Sequence, residues 1–310
     1  MSASPLPIPL RGIIPPMVTP LADRDKLDAP GTERLIEHIL GGGVHGLFIL
    51  GTTGEAPSLS YRVRRELISH VCRQVAGRVP VLVGVTDTSY AESIHLANHA
   101  AEAGAQAVVL SAPYYFPAGQ PELLEYVQDI AADLPLPMFL YNMPTHTKIT
   151  FDPNTVRESL QIPNVVGIKD SSAQMIYFHK LKAICAARPD FTVLVGPEEL
   201  LGESVLFGGH GGVCGGANLF PKLYVDLYDA AVAGQVDKVL ELHAQVIRIG
   251  QTIYSVGQHG SAFIKGLKCA LNCLAICDDF MAEPFQRFRP EHREQIEGYL
   301  AKLGAAPQGA

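Results

Sequence analysis

Residues 136–170 read LPMFLYNMPTHTKITFDPNTVRESLQIPNVVGIKD. Two short apolar runs, 136–142 and 164–170, show almost no polar alternation, the pattern of strands buried on both faces of a parallel sheet. Between them, Thr155-Val156-x-x-Ser159-Leu160 carries the i, i+3, i+4 spacing of a helix with one apolar face. Strand, helix and second strand make one crossover unit, which is right-handed when both strands join the same sheet.

The unit recurs in both directions. Further apolar runs lie at 12–19, 44–50, 79–85, 105–111, 191–197 and 211–217. Helical stretches lie near 31–40, 60–76, 90–103, 120–133, 153–160, 173–187, 199–207 and 219–231. Eight strands, each followed by a helix, predict an α/β protein, a (β/α)8 TIM barrel over residues 10–232. A doubly wound open sheet would want a glycine-rich phosphate turn after the first strand, where Pro15, Pro16 and Pro20 stand instead. Gly41-Gly42-Gly43 closes a helix and carries no nucleotide role. Beyond 232 only helices are expected (234–256, 260–276 and 290–303), giving a C-terminal α-helical appendage over 233–304 and a short tail at 305–310.

Composition narrows the class. The chain has 310 residues, 47% hydrophobic, with 24 Lys+Arg against 31 Asp+Glu and a net charge of −7. Such a balance argues against nucleic acid as a partner. The apolar runs are far shorter than the roughly 20 residues of a membrane span. The proline-broken start lacks the basic n-region of a secretory signal. Six scattered cysteines do not form a disulfide framework, so a cytoplasmic, reduced protein is expected.

In a barrel the chemistry gathers at the C-terminal strand ends. Those ends carry Gly51-Thr52-Thr53-Gly54-Glu55, Pro113-Tyr114-Tyr115, Tyr141-Asn142, Lys169-Asp170, Gly196-Pro197 and Gly212-Val213-Cys214. Lys169 is the anomaly. A lysine ending a buried apolar run meets a desolvation penalty on its ammonium form, and a neutral amine attacks carbonyls. A lysine snorkelling to solvent would be the bland alternative; a tyrosine and a threonine pair on other strand ends favour the chemical one. A tyrosine hydroxyl relays the protons that imine chemistry moves, provided a second hydroxyl hands them onward.

GTTGE at 51–55, PYY at 113–115, YNMP at 141–144, GIKD at 167–170 and GGHGGV…AN at 208–218, in this order, resemble the dihydrodipicolinate synthase/N-acetylneuraminate lyase family, pyruvate-dependent class I aldolases. The resemblance runs from about residue 10 to 300. It implies that Lys169 forms an imine with pyruvate and that Tyr141 relays protons beside it. It implies that Thr52 links that tyrosine outward and that Thr53 helps to hold the pyruvate carboxylate. Tyr115 would complete the relay from an adjacent subunit, and Gly196 and Val213 would line the pyruvate pocket. It further implies the family's usual assembly, a homotetramer made of two tight dimers, and chemistry that needs no cofactor or metal.

Two positions depart from the lysine-pathway synthases of that family. The arginine five residues after the relay tyrosine, which binds the second substrate's carboxylate, is His146 here. The asparagine that contacts the lysine inhibitor is Thr88. The resemblance therefore implies an aldolase or lyase joining pyruvate to an aldehyde or cleaving it away. Its alternatives are an authentic 4-hydroxy-tetrahydrodipicolinate synthase, a 2-keto sugar acid or 4-hydroxy-2-oxoglutarate aldolase, a dehydratase, or a non-catalytic barrel. Three other features read as structural. Cys269, Cys273 and Cys277 share one helix face and suit core packing, His95 and His99 suit a surface, and Glu55 suits anchoring of its own loop through backbone N–H groups.

Overall fold

The computed structural model describes residues 6–257 and 259–305. Its sheet has eight strands: β1 (Gly12–Ile13), β2 (Leu47–Ile49), β3 (Val81–Gly84), β4 (Ala107–Ser111), β5 (Met138–Asn142), β6 (Val165–Asp170), β7 (Thr192–Val195) and β8 (Gly211–Gly212). All pairs are parallel, in the order β1-β8-β7-β6-β5-β4-β3-β2. The ring closes where Pro16 bridges Phe48 in parallel. There Phe48 N donates to Pro15 O at 3.0 Å, and Met17 N to Phe48 O at 2.8 Å.

The runs are apolar throughout because the sheet is buried on both sides. Phe48, Leu82, Val109, Phe139, Leu194 and Val213 fill the barrel interior. Leu47, Val108, Leu110, Leu140, Ile168 and Val193 join the core shared with the surrounding helices. Those helices are α1 (Ala29–Gly41), α2 (Tyr61–Val75), α3 (Tyr90–Ala103), α4 (Gln120–Asp133), α5 (Pro153–Ser159), α6 (Met175–Cys185), α7 (Leu201–Leu206) and α8 (Pro221–Val232). Asp28, Ser60, Ser89 and Asp152 cap four of them by accepting backbone N–H groups in the first turn.

Two strands are shorter than their runs suggest. Pro15 and Pro16 have no N–H to donate, so β1 pairs only through 12–13 and the single bridge. The run 211–217 yields two strand residues before Gly215–Asn218 curls into a 3₁₀ turn. Gly211 sits at φ +149°, and a Cβ there would lie 1.9 Å from Gly12 O, so only glycine lets β8 approach β1. A small hairpin (Leu21–Asp23 with Lys26–Leu27) and a helical turn (Pro144–Thr147) had no periodic signature.

The C-terminal helices α9 (Val236–Thr252), α10 (Ala262–Cys273) and α11 (Pro290–Lys302) bury Ile249, Leu267, Leu271 and Ile296 in the same core as α1 and α2. Of the expected tail, residues 306–310 lie outside the described residues. Cys269 and Cys277 are buried and Cys273 half-buried. His99 Nε2 lies 3.0 Å from both Ser69 Oγ and Arg65 O, a helix–helix contact. Among the described residues no helix is long and apolar enough to cross a membrane.

Just after β7, the buried Glu198 joins three parts of the fold. It accepts from Gly216 N at 2.7 Å, from Tyr224 OH on α8 at 2.5 Å and from Tyr254 OH at 3.0 Å. Burial, aided by the Glu199 charge, outweighs these bonds and pushes its carboxyl from 4.5 up to about 7. Between pH 4.5 and 7 the unfolded chain has released a proton that the folded chain keeps, so stability falls as pH rises and levels off above 7. At 1.36 kcal/mol per pH unit the full loss is about 3 kcal/mol. Urea unfolding at pH 5 and pH 7.5 should show this loss in the unmodified protein and a smaller one in Glu198→Gln, whose amide does not ionise. Equal losses in both proteins would remove Glu198 as the cause.

Candidate active site

The register of β5 and β6 sets the centre. Tyr141 pairs with Lys169, and Asn142 with Asp170. On one side Ser111 pairs with Tyr141, and on the other Lys169 pairs with Leu194. Paired residues of parallel strands share a face, so these side chains form one inner layer at the C-terminal end of the barrel. Lys169 and Tyr141 are each only 6% exposed. The Lys169 Nζ lies 4.0 Å from the Tyr141 ring centroid and 5.1 Å from that of Phe48, a cation held over two aromatic faces.

Tyr141 OH lies 3.2 Å from Thr52 Oγ1. Burial pushes the phenol up, but the Lys169 charge and hydrogen bonds with Thr52, Lys169 and Ser171 outweigh it and hold it below its ordinary value. The site therefore favours a proton leaving Tyr141 when a partner can take it. Ser171 was not singled out in the sequence. Its Oγ would lie 1.9 Å from a Cβ on Gly196, so the glycine at the end of the β7 run makes room for that hydroxyl.

One residue along, the alternate face is locked. Asn142 Nδ2 donates to Asp170 Oδ1 at 2.8 Å, and Ser172 N and Oγ each donate to Asp170 at 3.0 Å. Phe151 N donates to Asn142 Oδ1 at 3.1 Å. This pair fixes the rotation of both strands, and with it the inward aim of Tyr141 and Lys169. Both residues stood at strand ends in the sequence, but only the register reveals that they meet.

The Gly51–Glu55 loop leaves β2 through Leu50 at φ +56° and ends on Glu55 at φ +56°, a conformation that costs energy for residues other than glycine. Thr19 Oγ1 holds Gly54 O at 2.7 Å. Glu55 does anchor the loop, but its main partner differs from the backbone N–H groups expected. Lys268 on α10, with no exposed surface, donates to Glu55 Oε1 at 2.7 Å, to Thr19 O at 2.9 Å and to Phe280 O. Among the described residues Ala282 N, at 2.8 Å on Glu55 Oε2, is its backbone donor.

A cavity of about 470 Å³ opens onto this centre, with Phe48, Thr52, Ser111, Tyr141 and His146 among its walls. Burial and the neighbouring Lys148 charge lower the His146 imidazole, so it stands neutral at pH 7. Thr53 is buried beside Thr52, and Val213 is packed in the barrel interior with Tyr141. Lys169, Thr53, Gly196 and Val213 are not themselves among the cavity walls, and Tyr115 stands apart at the surface. It is 75% exposed, with its ring 5.1 Å from that of Phe116, and it is not among the cavity walls. Tyr114 is there in its place.

The chain is similar to known proteins along nearly its whole length. The sequence profile of the dihydrodipicolinate synthetase family matches residues 9–303. A solved dihydrodipicolinate synthase from Bacteroides thetaiotaomicron is 55% identical, superposes with a TM-score of 0.93, and the match covers 96% of this chain and 99% of that one. A prophage protein of the same family from Escherichia coli K12, solved in complex with pyruvate, is 31% identical with a TM-score of 0.90 over 96% and 99% of the two chains. A probable 2-dehydro-3-deoxy-D-pentonate aldolase of Escherichia coli K12 is 31% identical over 96% of this chain and 98% of its own. The profile match across nearly the whole chain and the shared barrel place this protein in the dihydrodipicolinate synthetase family, as a carbon–carbon lyase.

Proposed function

We propose that this lyase forms an imine between Lys169 and the keto carbon of pyruvate, and then makes or breaks a carbon–carbon bond at the pyruvate methyl carbon. The observation that carries the reading is the buried Lys169 amine against the Tyr141 ring, with the Tyr141 hydroxyl in reach of Thr52. The amine adds to the keto carbon and the carbinolamine loses water, its oxygen leaving with a proton delivered by Tyr141. The protonated imine then acts as the electron sink. Loss of a methyl proton gives an enamine that attacks the aldehyde carbon, and the aldehyde oxygen takes up a proton. Water finally returns to the imine carbon and frees Lys169.

Thr53 and the backbone around it are suited to hold the pyruvate carboxylate, with Gly196 and Val213 shaping the pocket. At the mouth, neutral His146 offers the second substrate a hydrogen bond and no fixed charge, unlike an arginine. Tyr115 and Phe116 are 75% and 80% exposed. Two adjacent aromatics left in water suit a subunit contact, and we take the assembly to be a homotetramer in which Tyr115 completes a neighbour's relay through Thr52.

Borohydride added with pyruvate should attach a stable adduct to the peptide bearing Lys169, and Lys169→Ala should abolish it. An adduct on Lys148 or Lys265 instead would refute the assignment. Tyr141→Phe should lower kcat by roughly 10²–10⁴-fold, the usual contribution of a general acid–base group, with a much smaller change in pyruvate affinity. A change confined to KM would reduce Tyr141 to a shaping role. Sedimentation should give a tetramer, and Tyr115→Ala should weaken assembly and lower kcat together. A fully active monomer would rule out the shared relay.

A further inference from the structure

The C-terminal region, which carries none of the imine chemistry, supplies part of the cavity wall. Ile264 on α10, 8% exposed, and Phe285 beyond it, 37% exposed, both line the space that Thr52 and Tyr141 line. They are held there by the contacts that hold the Gly51–Glu55 loop. Lys268, one helical turn after Ile264, grips Glu55. Ala282 donates to the same carboxylate, and Phe285 N donates to Ala282 O at 3.1 Å. Ala56 and Pro57, directly after Glu55, line the cavity too. Ile264, Phe285, Ala56 and Pro57 therefore gather around one buried carboxylate as an apolar wall.

That wall offers a charged ligand little. Glu55 and Lys148 are the charged side chains along the cavity. Glu55 is taken up by Lys268 and Ala282, and Lys148 Nζ donates to Thr145 O at 2.7 Å. Lys148 lies on the turn that carries His146 and not on this wall, so a carboxylate placed against Ile264 and Phe285 would shed water onto carbon, whereas an alkyl chain there gains from leaving water.

On the reading that pyruvate is bound as an imine, we propose that Ile264 and Phe285 determine the second substrate. The favoured class is an uncharged aldehyde whose carbon chain lies along this wall, ahead of a chain of equal length ending in a carboxylate.

Butanal and succinic semialdehyde, both of four carbons, test this as acceptors with pyruvate. In the unmodified enzyme kcat/KM for butanal should exceed that for succinic semialdehyde by about tenfold or more, the scale on which a pocket discriminates through buried apolar contact. Phe285→Ala and Ile264→Ala should each bring the ratio down several-fold, while borohydride trapping of pyruvate on Lys169 proceeds. Phe285 is at the rim, so its variant keeps the test open if Ile264→Ala folds poorly. Equal or better use of succinic semialdehyde by the unmodified enzyme would overturn the proposal, as would a ratio unchanged in a folded Phe285→Ala. Trapping that fails in the unmodified enzyme would instead overturn the imine reading on which the proposal rests.

Discussion

The pairing of Tyr141 with Lys169 across β5 and β6 is the constraint on which the site depends. Side chains alternate faces along a strand, so a slip of one residue would turn Lys169 into the helical layer and bring Asp170 inward. Two features prevent that slip. The apolar neighbours Leu140 and Ile168 belong to the outer core, and the Asn142–Asp170 hydrogen bond, backed by Ser172, satisfies the polar pair only in the observed register. Burial raises the Asp170 carboxyl in spite of those bonds, so the enclosure works against its charged form. The polar lock is tolerated because every acceptor oxygen of that carboxylate has a donor.

A second constraint operates at longer range. An ammonium with no exposed surface is strongly unfavourable unless its protons are all directed at acceptors. Lys268 meets the condition with Thr19 O, Glu55 and Phe280 O. These three belong to the loop after β1, the loop after β2 and the segment after α10. Removing either charge would leave the other buried without a partner, so the pair couples the threonine loop to the C-terminal region. The appendage is thereby part of the site, although it contributes no group to the imine.

How much of this could be read in the sequence follows from the range of each interaction. The eight strands were legible because burial on both faces writes itself as an uninterrupted apolar run, and Lys169 was legible because it ends such a run. The limits of β1 and β8 were not, since Pro15, Pro16 and the glycines around 211–216 break the ladder through pairing geometry rather than hydropathy. The partnership of Glu55 with Lys268 spans 213 residues, and no periodicity marks it. For the same reason nothing in the sequence marks Ile264 and Phe285 as part of the cavity wall. Asn142 and Asp170 were visible singly at their strand ends, while their hydrogen bond required the register.

The same low-dielectric enclosure acts in opposite senses on the titratable groups of the cavity, and that contrast organises its chemistry. At the inner end burial would keep Tyr141 protonated, but the adjacent Lys169 charge and the surrounding hydroxyls reverse the direction and make the phenol a better proton donor. At the mouth burial lowers the His146 imidazole and the Lys148 charge adds to the same effect, so the imidazole stays neutral. Proton transfer is thus supported where the amine lies, and the imidazole at the mouth meets the second substrate without a charge of its own. A lysine charge lowers both groups; the difference comes from the charge each would take up, since burial opposes the phenolate against its lysine but opposes the imidazolium together with its lysine.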